Sequence, residues 1–122
     1  MTKKINIWGR DFRLNVIYDQ YEGEEILDTQ REALASFLNA SDSLLKSYGE
    51  LERYCIEKDQ EQIGDSIGNI FKYVVPEMIF VRRSENKRVV LLLCIYRFDE
   101  EHGIAITLEN EKLKQIGTQD DI

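Results

Sequence analysis

Eight consecutive residues, Val89-Val90-Leu91-Leu92-Leu93-Cys94-Ile95-Tyr96, leave no polar position that water could reach on either side. A strand sends successive side chains to opposite faces, so an apolar run without alternation predicts a central strand covered on both. The run is far shorter than the roughly 20 residues a membrane-spanning helix needs. Its neighbours can be read from the turns around it. Met78 to Arg82 leads through Ser84-Glu85-Asn86-Lys87 into the run. Beyond it, Asp99-Glu100-Glu101-His102-Gly103 turns the chain into an alternating stretch with Ile104, Ile106 and Leu108 on one face. Glu109-Asn110-Glu111-Lys112 turns it again, and Leu113 to Ile116 returns. Turns this short join antiparallel neighbours, so the last third predicts a four-strand meander.

The N-terminal residues repeat the period of two. Ile5-Asn6-Ile7-Trp8 alternates, Gly9-Arg10-Asp11 supplies a turn, and Phe12, Leu14, Val16 and Tyr18 alternate with Arg13, Asn15, Ile17 and Asp19. This predicts a hairpin with one face to cover. Between the two sheet blocks the period lengthens. Thr29-Gln30-Arg31-Glu32 matches a capping box for a helix turning Leu34, Phe37 and Leu38 inward. Asn39-Ala40-Ser41-Asp42 predicts a break and a fresh cap, followed by a stripe of Leu44, Leu45, Tyr48, Leu51 and Cys55. Asp59-Gln60-Glu61-Gln62 offers another cap for a third stripe of Ile63, Ile67, Ile70, Phe71 and Val74, which Pro76 would close. The expected fold is α+β: an antiparallel sheet, made of an N-terminal hairpin and a C-terminal four-strand meander, packed against about three helices.

With 122 residues, 43% of them hydrophobic, the chain suits one domain spanning 1–122 with its own core. The N-terminus lacks the apolar segment and cleavage site of a secretion signal, so a cytoplasmic protein is expected, away from any membrane. Cys55 and Cys94 are far apart and read as buried free thiols. A formal net charge of −7 argues against a nucleic-acid partner and for solubility or a basic protein partner. The one basic cluster, Arg82, Arg83, Lys87 and Arg88, reads as a solvated hairpin tip.

The residues give little support to catalysis. One histidine excludes a His-rich metal site, and adjacent residues on a turning chain rarely converge on an ion, so neither metal nor cofactor is expected. His102 with Glu101 or Asp99 is the one acid–base arrangement on offer, and would suit a small hydrolase or metal-dependent enzyme. The alternative for His102 is structural, tying the turn to neighbouring backbone while Gly103 adopts a conformation other residues resist. Cys94 lies in an apolar strand that blunts thiol reactivity. Ile63-Gly64-Asp65-Ser66-Ile67-Gly68 has no lysine and sits in a helical stripe, unlike a phosphate loop. No catalytic residue is assigned.

The segment Asp99-Glu100-Glu101-His102-Gly103-Ile104-Ala105-Ile106 resembles a family of small bacterial domains of unknown function marked by an acidic-x-Glu-His-Gly turn. The same family has an Asn-containing hairpin and a closing Ile-Gly-x-Gln-Asp segment, here Glu109-Asn110-Glu111-Lys112 and Ile116-Gly117-Thr118-Gln119-Asp120. The likeness extends from Thr29-Gln30-Arg31-Glu32-Ala33-Leu34 onward, with the last 25 or so residues most distinctive. Two positions depart from the pattern: the Pro usual after Phe-Asp is absent, and Glu111 replaces the hairpin glycine. Such domains are similar to proteins encoded beside polymorphic toxins, some regarded as immunity proteins. The resemblance implies a non-catalytic module whose family-motif residues Glu101, His102 and Gly103 are structural. The expected partner is a protein, such as a basic toxin, met through Glu22, Glu24, Glu25, Asp99, Glu100 and Glu101. These residues are chosen by charge and expected exposure, and charge would steer the encounter. A structural or oligomerising domain is the remaining reading, favoured if the 5–18 hairpin exposes an apolar face.

Overall fold

The computed structural model describes residues 1–39 and 41–121, with backbone alone for 41–43 and 121. One six-stranded sheet runs in the order β1-β2-β3-β4-β5-β6. Its strands are β1 (Thr2–Ile7), β2 (Arg10–Tyr18), β3 (Val74–Val81), β4 (Val89–Tyr96), β5 (Ile104–Glu109) and β6 (Lys112–Gly117). Two helices, α1 (Asp28–Leu38) and α2 (Ser41–Ile63), connect β2 to β3 and pack on one face of the sheet. No described helix is long and apolar enough to cross a membrane.

The N-terminal hairpin and the C-terminal meander form as the alternation and turns require, every neighbour within them antiparallel. Their junction does not. β2 and β3 pair in parallel, Asn15 with Met78 through Tyr18 with Val81, so the sheet is mixed. A parallel pair needs a long crossover, and the two helices supply it. Gln30, fully buried at the start of α1, stitches this junction. Its Nε2 donates to the carbonyls of Asp19 (2.9 Å) and Val81 (3.3 Å), at the ends of the two parallel strands. Its Oε1 accepts from the Leu27 amide at 2.9 Å.

That last bond corrects the expected capping box. Only the returning half of a box forms, two residues earlier, from Gln30 to the amide of Leu27, whose side chain has no acceptor, while the Thr29 hydroxyl donates to the Ser84 carbonyl at 2.6 Å. The break expected over Asn39-Ala40-Ser41-Asp42 falls between α1 and α2, but Ala40 and the capping side chains of Ser41 and Asp42 lie outside the described residues. Leu45 points to water at 64% exposure, not inward.

The third helix does not form. α2 kinks at the expected cap, where Asp59 takes a non-helical conformation (φ −134°, ψ 45°), and only its last residues, through Ile63, follow the kink. The helix ends at Gly64, whose φ of +89° and 2.8 Å bond to the Gln60 carbonyl make a left-handed C-terminal cap. Ile70–Lys72 is a single 3₁₀ turn opened by Asn69, whose side chain accepts from the Phe71 amide at 3.1 Å. Val74 already belongs to β3. Ile67, Ile70 and Val74 are buried as their hydrophobicity demands, but from a loop, a turn and a strand. Pro76 closes no helix. It pairs with Cys94 beside an irregularity that leaves Glu77 unpaired, as a bulge accommodates a residue lacking an amide donor. The N-terminal turn is Trp8-Gly9, both at positive φ, rather than Gly9-Arg10-Asp11, because Arg10 already pairs with Ile7. Trp8 holds this conformation by donating its indole N–H to the Leu44 carbonyl at 3.0 Å.

The core lies between the helices and one sheet face: Ile5, Ile7, Leu14, Val16, Ile79, Val81, Val90, Leu92, Cys94, Tyr96, Ile104, Ile106 and Leu108 meet Ala33, Leu34, Phe37, Leu44, Leu51 and Cys55. The second face of β4 differs from the expectation. No helix covers it. Leu91 is fully buried there and Ala105 nearly so, by flanking Phe80 and Leu93, while Ile17, Val75 and Ile95 on the same face are 42–43% exposed.

Candidate functional site

The chain's single histidine sits in a knot that joins both motif segments. The Asp99 amide bonds the Tyr96 carbonyl (3.2 Å) and the Gly103 amide bonds the Asp99 carbonyl (2.9 Å), folding the turn on itself. His102 Nδ1 lies 2.9 and 3.1 Å from the two Asp99 carboxylate oxygens, and Nε2 lies 3.3 Å from Asp120 Oδ2. Asp99 also meets Lys58 of α2 at 3.6 Å. The C-terminal segment is sealed onto the same turn: the Gln119 amide donates to the His102 carbonyl at 2.9 Å, and Gln119 Nε2 to the Cys94 carbonyl at 3.3 Å. Gly103, at φ +60°, makes the close approach that this needs, since a Cβ there would stand 2.6 Å from both the Cys94 oxygen and Gln119 Nε2.

The electrostatics follow from the contacts. The Asp99 hydrogen bond, and then its charge, raise the affinity of His102 for its proton above the ordinary imidazole value. The same bond to His102 holds Asp99 below the usual carboxylate range. The two carboxylates occupy opposite sides of the imidazole and do not converge on one point. Among the described residues no group of three or more His, Cys, Asp and Glu is placed to hold a metal. Of the acid–base pairs considered, Asp99 meets His102, whereas Glu101 is exposed and bonds nothing in the cluster. A groove of about 480 Å³ between α2 and β6 is lined by Glu50, Arg53, Tyr54, Glu57 and Lys114, and His102 is not part of it. Burial pushes the Cys55 thiol up to about 11 and the fully buried Cys94 thiol higher still. Thiols held that far from ionisation are poor nucleophiles.

The six acidic contact candidates do not form one surface. Glu22, Glu24 and Glu25 follow the end of β2, beside the β3–β4 hairpin, where Arg83 Nη2 binds the Glu24 carboxylate at 2.9 Å and Nη1 the Glu25 carbonyl at 3.0 Å. Asp99, Glu100 and Glu101 follow the end of β4, at the opposite end of the sheet. Glu22, Glu25, Glu100 and Glu101 are exposed, whereas Asp99 and Glu24 have partners. The basic hairpin is largely neutralised in place. Besides Arg83, Lys87 meets Glu109 at 3.1 Å, and Arg88 makes a two-pronged pair with Glu111 (2.9 and 3.0 Å). Glu111 is the residue that replaces a glycine in the motif. Asn110 and Glu111 both take positive φ, so the Arg88 fork compensates a conformation glycine would adopt freely.

Two features escaped the sequence reading. The Tyr96 hydroxyl, buried under α2, donates to Asp59 Oδ2 at 2.6 Å, at the point where the α2 backbone is irregular. Tyr21, 61% exposed with the Arg83 guanidinium 5.7 Å from its ring centroid, is a surface aromatic in the acidic loop.

A family model described as a domain of unknown function, DUF6985, matches residues 1–122, thus also the N-terminal hairpin. No curated protein and no solved structure matches the chain.

Proposed function

The chain belongs to the DUF6985 family of domains of unknown function, and from that premise we propose that it is a non-catalytic protein-binding module. The observation that carries this reading is the uncovered sheet face. Cross-strand rows Ile17–Phe80–Leu91 and Asn15–Met78–Leu93, followed by Val75–Ile95, make an apolar centre over three strands. Contiguous apolar surface of this kind marks a contact site in soluble proteins. Polar Lys4, Asn6 and Arg13 on one side and Lys112 and Gln115 on the other frame it, the anatomy of an interface core within a polar rim.

The finer reading is an immunity protein that neutralises a basic toxin by occlusion. Exposed Glu22, Glu25, Glu100 and Glu101 and the net charge of −7 support it by favouring encounter with cations, and Tyr21 offers an aromatic anchor beside Glu22. The test is titration of the purified chain against the product of an adjacent toxin gene by calorimetry. Saturable binding that Glu22→Lys with Glu25→Lys, or Glu100→Lys with Glu101→Lys, weakens by about tenfold or more is expected. No binding to that product removes the immunity reading.

A further inference from the structure

Three exposed aliphatic residues of the open face, Ile17, Val75 and Ile95, lie on the three adjacent strands β2, β3 and β4. Around them sit Met78, Phe80 and Leu93, all only partly buried. We infer that the occupant of this face is a second copy of the chain, the two sheets packing face to face about a two-fold axis with the helices outermost. The inference rests on the protein-binding reading and assigns that reading's surface.

Three observations favour a like copy. First, both edges of the sheet are guarded. β1 carries Lys3 and Lys4, and β6 carries Lys112 and Lys114 with an irregular register opposite Thr107 and Leu108. Edge lysines and bulges oppose strand-to-strand association, so the face is the route left for two sheets to meet. Second, the area suffices. Six strands about 4.8 Å apart and about seven residues long on average, at about 3.3 Å each, give a face of roughly 24 by 23 Å. Two such faces bury on the order of 1,100 Å², just above the roughly 1,000 Å² that a specific interface clears. A two-fold axis between them seats each apolar centre on the other and closes the assembly at two copies.

Third, Lys4 and Glu109 on the face are answered within the chain, while Arg13 and Lys112 lie at its rim. Lys4 pairs with Asp11 at 3.7 Å, and Glu109 is held between Lys87 at 3.1 Å and Lys114 at 2.8 Å. Two copies each of charge −7 would repel through most of their surface, but not here. The packing also gives β4 the two-sided cover that its unbroken apolar sequence calls for, in place of the second helical layer that is absent. Both acidic ends stay clear of the contact, so a dimer presents each of them twice to a basic partner.

Sedimentation equilibrium of the whole chain across a concentration series tests this. Twice the monomer mass is expected, with Ile17→Asp and Ile95→Asp each weakening dimerisation at least about tenfold. The milder pair Ile17→Thr and Ile95→Thr, which keeps strand propensity, guards against loss of fold and is expected to weaken it in the same direction. Leu45→Asp, on an exposed helical position away from the face, is expected to leave the dimer intact. A monomer at every concentration overturns the inference. So does a dimer that the face variants leave unchanged. A monomer whose face variants lose capture of a different protein overturns the second-copy assignment while retaining the protein-binding reading. A dimer that fails to bind any toxin leaves this inference standing.

Discussion

A Cβ at residue 103 would meet the Cys94 carbonyl and the Gln119 carboxamide at 2.6 Å, on backbone already at φ +60°. Gly103→Ala is therefore expected to destabilise the chain by about 1–3 kcal/mol, read by denaturant unfolding, and to loosen the C-terminal segment first. The neighbouring imidazole makes a pH-dependent contribution. His102 binds its proton more tightly in the folded chain, so its stabilisation is complete below the ordinary imidazole value of about 6.5 and is lost as pH rises through the raised folded value. Asp99, held low, contributes above its ordinary value and loses that contribution in stronger acid. The difference in Tm between the natural chain and His102→Gln is expected to peak near roughly pH 5–6 and to shrink toward alkaline pH. A difference that grows above neutrality would refute the charged clamp. The sequence singled out His102 and Gly103, because a lone histidine before a glycine stands out in any turn. It could not show Asp120 closing the far side of the ring, a contact across 18 residues of chain that only the returning strand creates.

Elements obeyed local pattern where local forces suffice. Alternation located the first hairpin, the unbroken apolar run and short turns located the meander strands, although β3 begins earlier than expected, and the helical stripe of Leu44, Leu51 and Cys55 faces the core. The pattern failed between residues 63 and 74, where hydrophobic spacing compatible with a helix is overridden by Gly64 at positive φ and by the Asn69 side chain. The parallel junction was equally hidden, since a long connection is compatible with either strand direction. Gln30 is its buried polar tie, and Gln30→Met, close in shape but unable to hydrogen-bond, strands the Leu27 amide and the Asp19 carbonyl and leaves the Val81 carbonyl with the Asp19 amide alone. A loss of about 2–4 kcal/mol is expected in equilibrium unfolding, with amide exchange rising first at the β2–β3 junction. Within β4 the two faces should separate cleanly. Leu92→Ala, under the helices, is expected to cost about 2–5 kcal/mol, whereas Ile95→Ala on the open face costs under about 1 kcal/mol in the monomer.

At the scale of the whole molecule the charge of −7 and the uncovered face act over different ranges. Charge governs approach: association with a basic partner is expected to slow steeply between low and physiological salt, while dissociation changes little, by stopped-flow measurement. Apolar contact is short-ranged and governs what remains bound. The sequence by itself determined the strand content, the α+β class and the central place of β4, because periodicity and turn chemistry are properties of neighbours along the chain. It also marked the turn at 99–103 as the chain's most distinctive segment. Only the tertiary structure decided that β2 and β3 run in parallel, that two helices rather than three cover one face, and that the acidic residues divide between opposite ends. It decided too that the second side of β4 looks outward. An unbroken apolar run states that both faces avoid water, but which body provides the cover depends on where distant segments pack, and hydrophobic burial carries no label for its partner.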